Sequence, residues 1–391
     1  MSDAYKYNQR GVSADKNEVH NAIAGMDKGL YPNAFCKILP DIAGNDDAYC
    51  NIMHADTAGT KPSLAYMYWK TTGDLSVWKG IVQDALVMNL DDMACVGCTD
   101  NIIISSTIAR NKHLIDAEVI TALIRSCNEF IEEMRECGIH IHHAGGETAD
   151  VGDIMRTLDV GYTAFARMKK ADLIINNIQP GDVIVGLASY GQTTYEHSYN
   201  GGMGSNGLTS ARHDVFDHQY ASEFPESFNP AIDRSVVFSG SKKLEDLVEI
   251  PGYGNITVGK LVLSPTRTYL PVIKEILSLY KSTINGMIHC TGGGQTKVKK
   301  FVQNRHIIKD NLLPVPPLFQ LIQSESNTSW KEMYQVFNMG HRMEIYTDQA
   351  TASAILDIAS NFNLDAALIG HVESHQNEQV TLVTPHGTFE Y

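Results

Sequence analysis

No apolar run in this chain approaches the ~18–20 residues needed to cross a membrane. The opening residues Met1-Ser2-Asp3-Ala4-Tyr5-Lys6 also lack the apolar core of a signal peptide. Basic charge is in short supply. There are 31 Lys and Arg against 45 Asp and Glu, a formal net charge of −14. That balance argues against a nucleic-acid partner held by phosphate neutralisation. It does not argue against a nucleotide, because a local basic pocket can exist on an acidic protein. Cysteine is sparse, with seven in 391 residues. That is no disulfide framework, and the odd count leaves at least one free thiol. A reducing cytoplasm is the better setting. Cys95-Val96-Gly97-Cys98 has no second pair at zinc spacing and ends an apolar helical run, so packing is its plainer role.

What is present is a foldable core: 43% apolar and 19% charged residues. One core rarely grows past ~250–300 residues, so two domains are expected. Strands and helices alternate along the chain, which indicates an α/β fold. The spacing predicts a strand over Ala48–His54, a helix over Trp78–Cys95 and a buried strand over Asn101–Ser105. A long amphipathic helix over Asp116–Cys137 stops at Gly138, and another strand runs over Asp159–Arg167. A weaker signal suggests a short helix over Lys16–Ile23. A boundary falls near Met168-Lys169-Lys170, dividing 1–168 from 169–391. Residues 213–259 read as irregular, and a loop that long is usually functional or mobile. The two halves read as similarly built.

Several stretches carry chemistry. Asp56-Thr57-Ala58-Gly59-Thr60-Lys61 follows a strand, where α/β folds bind ligands. Its carboxylate can hold a metal, Gly59 lets backbone N–H groups approach an anion, and Lys61 reads as a mobile charge for phosphate. The Walker A spacing is absent. Asp84, Met88 and Asp91 share one line of the apolar helix, with Asp92 beside them. Such acids are costly unless a cation or donors satisfy them. The bland reading is caps and solvent contact; the sharper one is a Mg²⁺ site. His140-Ile141-His142-His143 is split between faces by strand alternation, which weakens a metal role. Gly145-Gly146-Glu147-Thr148-Ala149-Asp150 places two glycines and an acid directly after that strand. The strand Gly286–Cys290 leads into Thr291-Gly292-Gly293-Gly294 and a helix over Gln295–Val302, a ready anion site.

Together these stretches resemble the aminoimidazole ribonucleotide synthetase (phosphoribosylformylglycinamidine cyclo-ligase) family. The family's D-G-V-G-T-K is similar to Asp56–Lys61, its D-x-x-x-M-x-x-N-D to Asp84, Met88, Asp91 and Asp92, and its G-G-E-T-A to Gly145–Ala149. Its S-N-G is similar to Ser205-Asn206-Gly207, its P-T-R-x-Y to Pro265–Tyr269 and its H-x-T-G-G-G to His289–Gly294. Its E-M-Y-x-x-F-N-x-G is similar to Glu332–Gly340. The motifs run in family order from about Gly11 to about Val372.

The resemblance implies a two-domain α/β (α+β) fold whose N-terminal domains pair as a homodimer and form a shared β-barrel with ATP near the seam. It implies ring closure of formylglycinamidine ribonucleotide in purine biosynthesis through phosphorylation of the formamide oxygen. It places Asp56, Asp91 and Asp92 on Mg²⁺–ATP. It places Lys61 on the phosphates, with Gly59, Thr60, Glu147 and Thr148 at the nucleotide. Asp92, His289 and Lys61 would be catalytic. Ser205, Asn206, Thr291, Gly292, Gly293 and Gly294 would bind substrate. There are departures. The glycine-rich segment before the first core strand is reduced to Gly29–Phe35, and the family's Asp-Tyr pair is replaced around Ser105-Ser106. Gly204 stands in place of a His, and Arg342 in place of a small residue. Rival readings are a related small-molecule kinase, a selenophosphate synthetase, for which Cys36-Lys37 is a poor match, and a non-catalytic nucleotide-binding paralogue.

Overall fold

The computed structural model describes residues 9–12 and 21–391. The short helix expected over Lys16–Ile23 falls mostly outside the described residues. The first half builds a five-stranded sheet from β1 (Ile38–Pro40), β2 (Tyr49–Thr57), β3 (Ile102–Arg110), β4 (Ile141–Asp150) and β5 (Leu158–Lys169), in the order β1-β2-β5-β3-β4. Helices α1 (Lys61–Thr72) and α2 (Val77–Ala94) follow β2, and α3 (Ala117–Glu136) links β3 to β4. β3 and β4 are parallel, so their connection must cross over, and α3 serves as that crossover.

The second half builds a sheet from β6 (Val183–Ala188), β9 (Ile284–His289), β10 (Arg305–Lys309), β11 (His341–Thr347), β12 (Ala366–Ser374), β13 (Gln379–Thr384) and β14 (Gly387–Glu390). Its order is β14-β13-β10-β12-β6-β11-β9, and a separate hairpin pairs β7 (Leu247–Ile250) with β8 (Gly254–Thr257). Its longer helices are α4 (Leu208–Val215), α5 (Leu270–Tyr280), α6 (Pro317–Ser326), α7 (Trp330–Val336) and α8 (Gln349–Asn361). The architecture is mixed α/β, as expected, although the two sheets differ in strand number. The hairpin and short helices order much of 213–259, and β10, α6 and β14 have no counterpart in the sequence reading.

Two local readings need correction. Gly145-Gly146-Glu147 does not follow a strand but lies inside β4. The β3–β4 register shifts between Ile104 and Ser106, and a Cβ on Gly146 would stand 2.2 Å from the Ser106 carbonyl oxygen. Only glycine lets the two strands close there. The run after the glycine turn, Gly294–Phe301, is a 3-10 helix rather than an α-helix.

Helix α2 joins the halves. It is apolar nearly all round and almost wholly buried, the mark of an interior helix. Two of its acids, Asp84 through one oxygen and Asp91, accept from residues 264–269 of the second half. Asp84 accepts from the Thr266 N–H at 2.7 Å and its hydroxyl at 2.6 Å. Asp91 accepts from the Thr268 hydroxyl at 2.8 Å and the Tyr269 N–H at 3.1 Å, just ahead of α5. The Lys61 ammonium, fully buried, pairs with Asp84 at 2.8 Å and donates to the Ser264 carbonyl. Lys61 is therefore a clamp between halves and not a mobile surface charge. Removing one member of such a pair strands the other. Lys61→Met is expected to lower stability by about 3–5 kcal/mol in chemical denaturation. Lys61→Met/Asp84→Asn should recover part of that loss. Equal losses in the two variants would show that the uncompensated charge is not the cause.

A candidate active site at the junction of the two halves

The docking of α2 places its C-terminal end against the end of β9. His289 Nδ1 lies 2.7 Å from Asp92 Oδ1, and His54 Nε2 lies 3.2 Å from Asp92 Oδ2. His54 was missed in the sequence. Strand alternation sets it on the same inward face of β2 as Ile52 and Asp56. Hydrogen-bond partners assign the protons. Asn89 donates its amide to the carbonyls of Ala85 and Tyr162, so its oxygen faces His54 Nδ1 at 3.0 Å and Nδ1 carries hydrogen. Burial pushes the Asp92 carboxyl up, but the bonds to His289 and His54 outweigh it and hold the group well below the usual range. An ionised Asp92 accepts from His289 Nδ1–H. The buried Nε2 of His289 is left without a partner. A histidine oriented by a carboxylate, with its other nitrogen free, is an acid–base group awaiting a substrate.

Three turns gather at this seam. Thr60 Oγ1 lies 2.8 Å from Thr209 Oγ1, which seats the Asp56–Lys61 stretch against the start of α4, directly after Ser205-Asn206-Gly207. A Cβ on Gly292 would lie 3.8 Å from Asn206 Oδ1. Gly292, Gly293 and Gly294 have φ of 58°, 127° and 47°, so Thr291–Gly294 makes a left-handed turn that side chains resist. Ser205 Oγ is buried without a partner. The structure thus brings together Gly59, Thr60, Ser205, Asn206 and the 291–294 turn, next to the Asp92–His289 pair. Gly29–Phe35 ends in Phe35, which stacks on Phe301 at 4.9 Å beneath Lys297, and so docks on the 3-10 run.

Other expected residues stand apart. Glu147 and Thr148 are exposed on β4, the edge strand of the first sheet. Asp56, Asp91 and Asp92 do not form a metal cluster. Asp91 is fully buried on its Thr268 and Tyr269 donors, and burial pushes its carboxyl up to about 6. Among the described residues, the one group of His, Cys, Asp and Glu close enough to share an ion is Cys290, His341 and Glu344. There the Lys309 ammonium already meets Glu344, which also accepts from Tyr346 at 2.7 Å, so this is a satisfied buried network. Cys36 is nearly buried against the Asp92 carbonyl, and burial raises its thiol well above the usual value, unlike a reactive nucleophile. All seven cysteines are free. A cavity of about 670 Å³, lined by residues such as Phe130, Met134, Tyr199 and Ile256, holds none of the expected site residues. No helix among the described residues is long and apolar enough to cross a membrane.

Comparison with known proteins places the chain among others. The model of "AIR synthase related protein, N-terminal domain" matches residues 41–168, and that of its C-terminal domain matches 179–383. Proteins named phosphoribosylformylglycinamidine cyclo-ligase are similar. That of Methanocaldococcus jannaschii is 28% identical over 325 residues, 83% of this chain and 78% of the relative. That of Staphylococcus carnosus is 29% identical over 336 residues, 84% of this chain and 81% of the relative. Among solved structures, T. maritima PurL complexed with FGAR aligns with TM-score 0.54 at 14% identity. That alignment covers 97% of this chain and 49% of PurL. The HypE–HypF complex aligns with TM-score 0.53 at 14% identity, covering 95% and 97%. At these identities the structures support the fold alone.

The His54–Asp92 contact carries a pH signature. Burial alone would lower the His54 pKa, but the bond to Asp92 outweighs it and the net shift is upward from 6.5. The contribution to stability is therefore full below about 6.5 and fades as pH rises through the shifted value. Asp92 stays ionised across that window. His54→Gln should lower Tm by a degree or two near pH ~5–6, with the difference from wild type shrinking by pH ~8–9. A pH-independent difference would assign His54 to packing only.

Proposed function

The chain belongs to the AIR synthase related protein family, and we propose that it catalyses the ATP-dependent closure of formylglycinamidine ribonucleotide to aminoimidazole ribonucleotide in purine biosynthesis. One observation carries the reading. His289 is held by Asp92 in the tautomer that leaves Nε2 free, at the seam where the Thr291–Gly294 turn meets Ser205-Asn206. The names of the relatives across most of their length support the same chemistry.

When bound, ATP supplies the phosphoryl group that turns the formamide oxygen into a leaving group. The amidine nitrogen then bonds to that carbon, and phosphate departs. His289 Nε2 takes the proton that the nitrogen loses, and ionised Asp92 stabilises the resulting imidazolium. Ser205, Asn206 and the 291–294 turn hold the ribonucleotide, because the turn offers backbone N–H groups to an anion. Asp56, Gly59 and Thr60 border the nucleotide, with Glu147 and Thr148 at its outer edge. Magnesium accompanies ATP in this reading, but the three-acid set expected for it is not assembled. Lys61, closed in its pair with Asp84, acts by holding the halves together.

The dimer belongs to the same reading. Met53, Phe165 and Ile103 align in one row across β2, β5 and β3, and Met53 and Ile103 are 60% and 43% exposed. A second copy covering that face would protect an apolar strip that water otherwise meets. A division at residues 168 and 169 fits the two separate sheets, and a cytoplasmic setting fits seven free thiols.

ADP release is expected only when formylglycinamidine ribonucleotide is present. Asp92→Asn and His289→Ala should each lower kcat by roughly 10²–10⁴, with smaller changes in KM. Wild-type turnover in either variant would remove its assignment. Nucleotide binding with no substrate-dependent ADP would favour a non-catalytic role.

A further inference from the structure

We propose that Arg342 is a phosphate receptor built into the same cleft, a second binding element beyond the glycine turn. Arg342 is 1% exposed, yet its Nε and Nη1 have no hydrogen-bond partner. Only Nη2 is engaged, by the Arg267 carbonyl, and the guanidinium stands 5.5 Å from the Tyr269 ring. Burying a charged fork with two donors unmet is costly unless something completes it. Among the described residues no carboxylate hydrogen-bonds to it, although Asp91 is near enough to feel its charge.

The backbone is arranged to send this side chain inward. Along the β11–β6 ladder His341 faces Ala188 and Met343 faces Leu187, so Arg342 is the extra residue of a β-bulge. Bulges re-aim side chains. On the other side of β11, Met343 pairs with His289, and the Cys290 N–H donates to the Arg342 carbonyl at 2.6 Å. The guanidinium therefore belongs to the residue that borders the His289 strand end. A Cβ on Gly204 would lie 3.5 Å from Nη1, an ordinary contact, so residue 204 stands directly against the fork. Ser205, next in the chain, carries another unpartnered buried oxygen. Two unpartnered guanidinium nitrogens and one hydroxyl supply the donors. A tetrahedral oxyanion fits them, and the planar fork suits phosphate oxygens. Entry requires the chain at Gly204, which stands against the fork, to shift.

The phosphate has two sources in the proposed reaction, the transferred phosphoryl group and the ribonucleotide's own phosphate. This assignment rests on that reading for the identity of its ligand, but binding of inorganic phosphate tests it without turnover. Calorimetry and thermal denaturation of the full chain with inorganic phosphate are compared for wild type, Arg342→Met and Arg342→Lys. Phosphate should raise the wild-type Tm. Arg342→Met should weaken phosphate binding roughly tenfold to hundredfold, while its ligand-free Tm stays equal or rises. Arg342→Lys should fall between, since it keeps charge without the fork. Phosphate affinity within about twofold of wild type in both variants overturns the proposal. So does a wild type that does not bind phosphate. With active enzyme, a fall in kcat at unchanged KM assigns the transferred group, and a raised KM for the ribonucleotide assigns its phosphate. Arg342-dependent phosphate binding in an enzyme that never closes the ring would retain this site and remove only the proposed reaction.

Discussion

The junction depends on one constraint, the seating of the α2 carboxylates on the backbone and hydroxyls of residues 264–269. A buried carboxylate is tolerated only where donors surround it. Asp84 and Asp91 find theirs in the other half of the chain. A helix of 18 residues is stiff, so fixing two of its acids fixes the residue beside them. That residue is Asp92. Its contact with His289 therefore follows from the docking and is set before any ligand arrives.

From Asp92 outward, orientation passes through a chain of hydrogen bonds that begins far from the cleft. The carbonyls of Ala85 and Tyr162 hold the Asn89 amide, whose oxygen sets the hydrogen on His54. His54 and His289 then each take one oxygen of the Asp92 carboxylate. In a site this buried such bonds are stronger than in water, and a free nitrogen is correspondingly conspicuous. The network leaves His289 Nε2 as its single open end. That is the difference between this cluster and the Glu344 group, where Lys309, His341 and Tyr346 close every oxygen.

Much of this was legible in the sequence. The apolar period of α2 and the strands over Ala48–His54 and Gly286–Cys290 follow from spacing, while a common site for Asp92 and His289 is implied only by the family resemblance. The acid line was not, because its donors lie 182 and 177 residues downstream, and a sequence shows the cost of a buried acid without showing what satisfies it. Lys61 reads as a free charge after Gly59-Thr60, yet it opens α1 on a face that packs inward. His54 looks like a lone strand histidine, since its partners Asn89 and Asp92 meet it only across the fold. Gly145-Gly146 reads as following a strand; here Gly146 lies within one and marks strands too close for a side chain.

The two departures from the family's pattern, at 204 and 342, are neighbours in space: a Cβ on Gly204 would lie 3.5 Å from Arg342 Nη1. A side chain longer than a methyl at 204 would occupy the space of the Arg342 guanidinium, and a small residue at 342 would leave that space empty. Neither substitution is packed well without the other. Asp92 and His289 themselves match the family's motifs.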